Sequence, residues 1–258
     1  MEIREWATLI LGGLSLEEKL FCPSELTDFN PKEPLFWKEP SRPHHLRFHK
    51  YSKNDKLPPF HEHSSQDKRA ICLHRFAGHE LLAVELMAYA LLAFPDMPKH
   101  FRKGLANTLI EEQEHVMLYR ARLNAMNMEF GDHPLNGRFW QLTPHLKTPL
   151  QYLCAVHLTL EMANLDFAPH YGASFARHGD TESTKLMQTI YEDELSHVGF
   201  GYHWLKKTQD VNKNPFETWI ENLPPTLPPR RAKGFIFKKD ARKEAGLDDD
   251  WIERLTKI

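Results

Sequence analysis

The chain has 258 residues, 41% hydrophobic and 26% charged, which is enough apolar side chain for a full core. Its 33 Lys and Arg nearly balance 35 Asp and Glu, so a net charge of −2 excludes a global pull toward nucleic acid or a membrane surface. Cys22, Cys72 and Cys154 form no Cys-x-x-Cys pair, which suits a reducing cytoplasm and excludes a thiolate zinc or rubredoxin module.

Residues 2–20 read as two short helices broken at Gly12-Gly13, the second opened by Ser15-Leu16-Glu17-Glu18. The apolar stretch at 9–14 is short and flanked by Glu2, Glu5, Glu17 and Glu18, so it is not a signal peptide. Seven prolines between 22 and 64 predict a long irregular segment draped on the protein, with Phe36, Trp37, Leu46, Phe48 and Tyr51 as anchors. A first long helix is expected over about 65–94, with Leu73, Phe76, Ala77, Glu80, Leu81, Val84, Met87 and Leu91 on one stripe. Its apolar run 81–94 holds Glu85 and stops at Pro95, so it reads as a core helix and not a membrane span. A second follows over about 98–126, with Leu105, Leu109, Glu112, His115, Val116, Tyr119 and Leu123 inward. The stretch 131–147 is a crossover loop anchored by Trp140.

Thr148-Pro149 is an N-cap followed by a first-turn proline, opening a third long helix to about 176. Pro169 predicts a kink or an end near Ala168. The fourth spans about 181–207, with Leu186, Ile190, Glu194, His197 and Val198 inward. Short helices are expected at 213–222 and 249–257, around a basic stretch at 230–243 with Phe235 and Phe237 interleaved. The expected division is an amino-terminal extension (1–64), a helical bundle (65–210) and a carboxy-terminal extension (211–258).

Two Glu-x-x-His units stand on the inward stripes: Glu112 with His115, and Glu194 with His197. Residues three apart lie on one helix face, so each unit presents a carboxylate beside an imidazole. Glu80 precedes the first unit by 32 residues and Glu161 precedes the second by 33. Two helix hairpins, each supplying Glu…Glu-x-x-His, match the ligand set of a di-metal carboxylate site in a four-helix bundle. Four inward carboxylates are costly to bury without cations, and two divalent ions bring the set near neutrality. Oxygen and nitrogen donors without thiolate favour iron or manganese, alone or mixed, over zinc. The expected division is Glu80, Glu112 and His115 on one ion and Glu161, Glu194 and His197 on the other.

Asp193 and Glu111 precede the two units and can accept the free ring N–H of a ligand histidine on the facing helix, Asp193 on His115 being the better fit. His79, beside Glu80, is a packing or hydrogen-bonding neighbour. Glu85 lies about 140° around the helix from Glu80, so it is expected to pair with the amino-terminal segment. His157, one turn before Glu161, is either an added ligand or a core histidine. Tyr119 and Tyr191 flank the units as hydrogen-bond donors or redox tyrosines, against a plain packing role.

At these residues the sequence resembles the ferritin-like di-iron superfamily over about 74–200. The run His74-Arg75-Phe76-Ala77-Gly78-His79-Glu80 and the stretch Ala241-Arg242-Lys243-Glu244-Ala245-Gly246 look like an uncharacterised bacterial ferritin-like family distantly similar to the tRNA-hydroxylating di-iron enzymes called MiaE. The resemblance implies an all-α, ferritin-like four-helix bundle with a crossover connection and a di-iron or mixed-metal core. It leaves the reaction open, because such folds store iron, reduce ribonucleotides, destroy peroxide or hydroxylate substrates. A storage cage is disfavoured by the long extensions, and a rubrerythrin-type peroxidase by the missing paired-cysteine module. The expected function is an oxygen-activating oxidase or hydroxylase using O2, an electron-donor protein and a small molecule, with tRNA as a second substrate class suggested by the basic stretch. The alternatives are a non-enzymatic metal-binding protein and a metal-free scaffold.

Overall fold

Among the residues that the computed structural model describes, 1–50 and 56–258, there is no β-strand; all regular structure is helical apart from two isolated bridges, Glu2 with Thr27 and Phe48 with Leu135. Tyr51, expected as an anchor, lies outside the described residues. The chain divides into two compact units, Met1–Gln141 and Leu142–Ile258.

The amino-terminal unit is organised on a hairpin of two long helices, α3 (Gln66–Ala93) and α4 (Lys99–Ala125), preceded by α1 (Ile3–Gly12) and α2 (Leu16–Lys19). The Ser15 hydroxyl accepts from the Glu18 N–H while Glu18 reaches back, a capping box that satisfies amides the short helix leaves open. Pro98 occupies the N-cap of α4 and supplies no side-chain cap. Its fixed φ only ends the preceding turn.

Helix α3 departs from the one-sided stripe expected of it. It is buried nearly all round, from Arg69 through Ala93. It is long and apolar enough to cross a membrane, yet 83% of its most apolar window is buried inside the protein, as in a core helix. The proline-rich segment supplies part of that cover. Leu46 is fully buried, Phe36 packs on Tyr89 at 6.3 Å, and the Leu35 N–H donates to the Leu92 carbonyl at 2.9 Å. Arg102 clamps it to the hairpin. Its guanidinium binds both Asp28 oxygens at 2.9 Å and donates to the Leu91 carbonyl at 2.7 Å, satisfying the end of α3. Trp140 anchors the loop after α4 as expected, donating to the Lys38 carbonyl at 2.9 Å and packing on Tyr89.

Glu85 is at the centre of the same cover. It pairs with Lys19 of α2 at 2.9 Å and with both sides of the Arg42 guanidinium at 3.0 and 2.6 Å, all three buried. It is thus the partner of the amino-terminal segment that its position around α3 implied.

His74 gives this unit a pH dependence. Its Nε2 accepts from the Gly131 N–H at 2.9 Å, a role open only to the neutral ring. Burial, with His133 and Arg75 nearby, pushes it down to about 3. Below pH 6.5 the unfolded chain takes up a proton that the native one refuses. Stability present above 6.5 is therefore lost at up to about 1.4 kcal/mol per pH unit down to pH 3. Urea melts at pH 7 and pH 5 should show a steeper loss for wild type than for His74→Gln; equal slopes would contradict this assignment.

The carboxy-terminal unit contains α5 (Pro149–Ala155), α6 (Met162–Arg177), α7 (Thr181–Thr208), α8 (Pro215–Glu221), α9 (Lys239–Glu244) and α10 (Asp249–Thr256). Thr148 caps α5 in a capping box with Gln151, and Pro149 occupies the first turn as expected. The third long helix is not continuous. A π-helical turn, Val156–Glu161, separates α5 from α6, and α6 then runs through Pro169 to Arg177. Pro169 does not end the helix; Tyr171 and Phe175 beyond it are buried and hold the next turns in place. Helices α8 and α10 pack onto α5–α7 through Phe216, Trp219 and Trp251, whose rings meet at 5.2–5.4 Å.

Helix α9 was not foreseen, because the basic stretch resembles a solvated face. The structure instead buries Arg242 completely against Asp166 of α6, at 2.8 and 2.9 Å. The same carboxylate accepts the Gly234 N–H at 2.8 Å and the Lys238 N–H at 2.7 Å. Four charge-assisted bonds thus satisfy a carboxylate that would otherwise be costly to bury.

Candidate metal centre

In the amino-terminal unit, α3 brings Glu80 and α4 brings Glu112 and His115 into one cluster. Each offers a ligand atom, and these atoms lie within 4.8 Å of one another. All three side chains are buried, Glu112 completely. The i, i+3 spacing places His115 Nδ1 3.5 Å from a Glu112 oxygen. This is a group that can hold a metal ion, built from the three residues that the sequence assigned to one ion.

The carboxy-terminal unit repeats the local geometry. Glu194 and His197 are fully buried on α7, with His197 Nδ1 3.6 Å from a Glu194 oxygen, against 3.5 Å in the first unit. The Glu-x-x-His spacing is therefore matched at the level of atoms, whereas Glu161 is not among the described residues grouped as possible ligands. The Asn164 amide donates to the other Glu194 oxygen at 2.7 Å and fixes the carboxylate's rotation. The sequence places Asn164 on the same inward face as Glu161, one turn later, and assigns it no ligand role; its bond to Glu194 was not foreseen.

Glu161 lies at the end of the π turn and is buried. Its Oε2 lies against His157 Nδ1, and both carboxylate oxygens are buried with no hydrogen-bond partner among the described residues. A buried carboxylate oxygen in that condition costs free energy unless a cation takes it. The donor set thus fits a divalent ion: carboxylate oxygens and imidazole nitrogens, without thiolate. His157 is fully buried with its Nδ1 against the Glu161 carboxylate, a placement compatible with either earlier reading, added ligand or core histidine.

The remaining candidates are placed as follows. Glu111 and Asp193 are half-buried, each one residue before its Glu-x-x-His unit. The His79 ring lies against Phe139 at 5.0 Å. Tyr119 is buried, with its ring edge-on to Phe76 at 6.2 Å. Tyr191 is half-buried against the Trp219–Trp251 cluster, and burial, with Glu244, Asp240 and Asp166 nearby, raises its phenol. Cys72 and Cys154 are buried, and burial alone pushes Cys72 up to about 12, so neither is a ready thiolate.

Helical hairpins carrying buried Glu and His groups define an all-α protein with the means to hold metal. Residues 14–253 match the family described as "Protein of unknown function (DUF455)", and the chain belongs to that family. The matched span contains both Glu-x-x-His units and the two preceding glutamates. No curated protein and no solved structure matches the chain.

Proposed function

We propose that this chain is a ferritin-like di-metal protein acting as an oxygen-dependent oxidase or hydroxylase. Glu80, Glu112 and His115 hold one ion, and Glu161, Glu194 and His197 hold the other. The observation that carries the reading is the buried Glu80–Glu112–His115 group, ligand atoms within 4.8 Å, with its Glu-His geometry repeated at Glu194 and His197. Four buried carboxylates oppose the charge of two divalent ions, which gives the acidic side chains a reason to be inside. When bound, iron or manganese supplies the redox equivalents that let O2 react with a substrate C–H or N–H bond.

The protein's own part is positional. Two carboxylates and one imidazole per ion leave coordination positions for water or substrate, as catalytic metal sites require. Burial of the ligands excludes bulk water and strengthens their hold on charge. The Asn164 amide and the His157 ring restrain Glu194 and Glu161. The reaction would draw its electrons from a donor protein, as Cys22, Cys72 and Cys154 form no Cys-x-x-Cys pair in this sequence.

A small organic substrate is favoured over tRNA. Within the basic stretch, Arg242 is buried on Asp166 and Lys243 pairs with Asp249 at 2.9 Å, which reduces the charge left for phosphates.

Elemental analysis tests the site: about two ions per chain in wild type, and marked loss in Glu112→Ala and His197→Ala. Full occupancy in both variants would refute the ligand assignment. Reduced protein exposed to O2 should consume it with formation of an organic product from a metabolite extract. Slow metal oxidation with no product would leave a metal-binding protein and reject the oxygenase.

A further inference from the structure

The π turn is held by one of its own side chains, Thr159, and by one from another helix, Trp219. A π turn inserts a residue into an α-helix, is rare, and persists where neighbours stabilise it. Here the Cys154 carbonyl, in the last turn of α5 just before the π turn, accepts the Thr159 hydroxyl at 2.7 Å and the Trp219 indole N–H at 3.2 Å. The indole also reaches the Thr159 oxygen, at 3.0 Å. Trp219 comes from α8, is fully buried, and links its aromatic cluster to the turn through its indole N–H.

Across the turn, α7 makes room. A Cβ at Gly201 would stand 2.3 Å from the Cβ of His157, so no side chain fits there while His157 keeps its place. His157 is thereby seated between the Gly201 backbone, the Tyr152 ring at 5.4 Å and the Phe200 ring at 5.2 Å, with Nδ1 on the Glu161 carboxylate.

We propose that Trp219, Thr159 and Gly201 form a lock that keeps the π turn in register, and that His157, held by it, is the positioning residue for Glu161. The carboxy-terminal extension thus sets the aim of a metal-ligating carboxylate through one indole N–H. The metal part of this inference rests on the ligand role given to Glu161 above; the lock itself does not. Groups that orient a metal ligand are commonly worth 10–100-fold in metal affinity.

Trp219→Phe keeps an aromatic side chain but removes the N–H together with part of the indole volume. Trp251→Phe is its control: it lies in the same cluster, and its indole nitrogen is buried with no hydrogen-bond partner among the described residues. In metal-free protein, Trp219→Phe should speed amide hydrogen exchange across 156–161, with helical content by circular dichroism unchanged, and Trp251→Phe should not. In titrations with Fe(II) or Mn(II), Trp219→Phe should weaken one of two binding steps at least tenfold, and Trp251→Phe should leave both. Gly201→Ala should reproduce the Trp219→Phe effects; if it fails to fold, the Trp219→Phe comparison still decides.

Unchanged exchange in Trp219→Phe, or equal effects from both tryptophan variants, would overturn the lock. Faster exchange with metal binding within about twofold of wild type would overturn the link to Glu161. If wild type binds no metal, the di-metal function fails, while the exchange experiment still judges the lock.

Discussion

Glu85→Ala should destabilise the amino-terminal unit by about 3–5 kcal/mol, the usual cost of removing one member of a buried ion cluster. The variant leaves two buried cations, Lys19 and Arg42, facing a void where a carboxylate had met both. Burial already holds Lys19 below its ordinary value, with Glu85 the main influence raising it. Without Glu85 it falls further. The cost of keeping Lys19 charged in the native variant then rises, so its stability deficit should shrink as pH rises toward the ordinary lysine range. Arg42 stays charged, so recovery is partial. Denaturant melts across that range measure this; a deficit independent of pH would show that Lys19 is not the source.

Asp166→Ala should cost the carboxy-terminal unit a similar ~3–5 kcal/mol. It removes both bonds to the fully buried Arg242 and the acceptor of the Gly234 and Lys238 amides. Arg242→Met alone should be milder, because the two amides still satisfy Asp166 in part. The double variant Asp166→Leu with Arg242→Met should recover some of the loss, since an apolar pair of similar volume often replaces a buried ion pair without penalty. Trp219 and Trp251 share this core, so the difference in urea-unfolding fluorescence between wild type and a Trp219→Phe background isolates its contribution from the other tryptophans.

These two clusters mark where reading the sequence stopped working. Helix limits were legible because their signals are local: the Ser15 capping box, Thr148-Pro149, and Pro95 after α3. The three-residue Glu-His spacing was legible for the same reason, and both units carry it in the structure at nearly equal distance. The angular position of Glu85 on α3 was enough to direct it away from Glu80. Arg242 was not legible. Nothing within a few residues of it reveals a partner 76 positions earlier, and its basic neighbours disguise it as part of a solvated run. The π turn had no local signature either, since it depends on Trp219, 60 residues beyond Thr159. The all-round burial of α3 likewise comes from an irregular segment without periodicity of its own.

The Asp166–Arg242 pair also bears on biosynthesis. Helix α6 leaves the ribosome with its acidic side chain long before the arginine that neutralises it has been made, and Trp251 follows later still. Until translation passes these residues, the newborn unit exposes an apolar helical surface with an unmatched charge at its centre. Such a chain is a natural client for chaperones during that interval. Ribosome stalling between α7 and α9 should therefore yield aggregation-prone or protease-sensitive chains, while the amino-terminal unit, with its own ion clusters already synthesised, has the parts it needs to close.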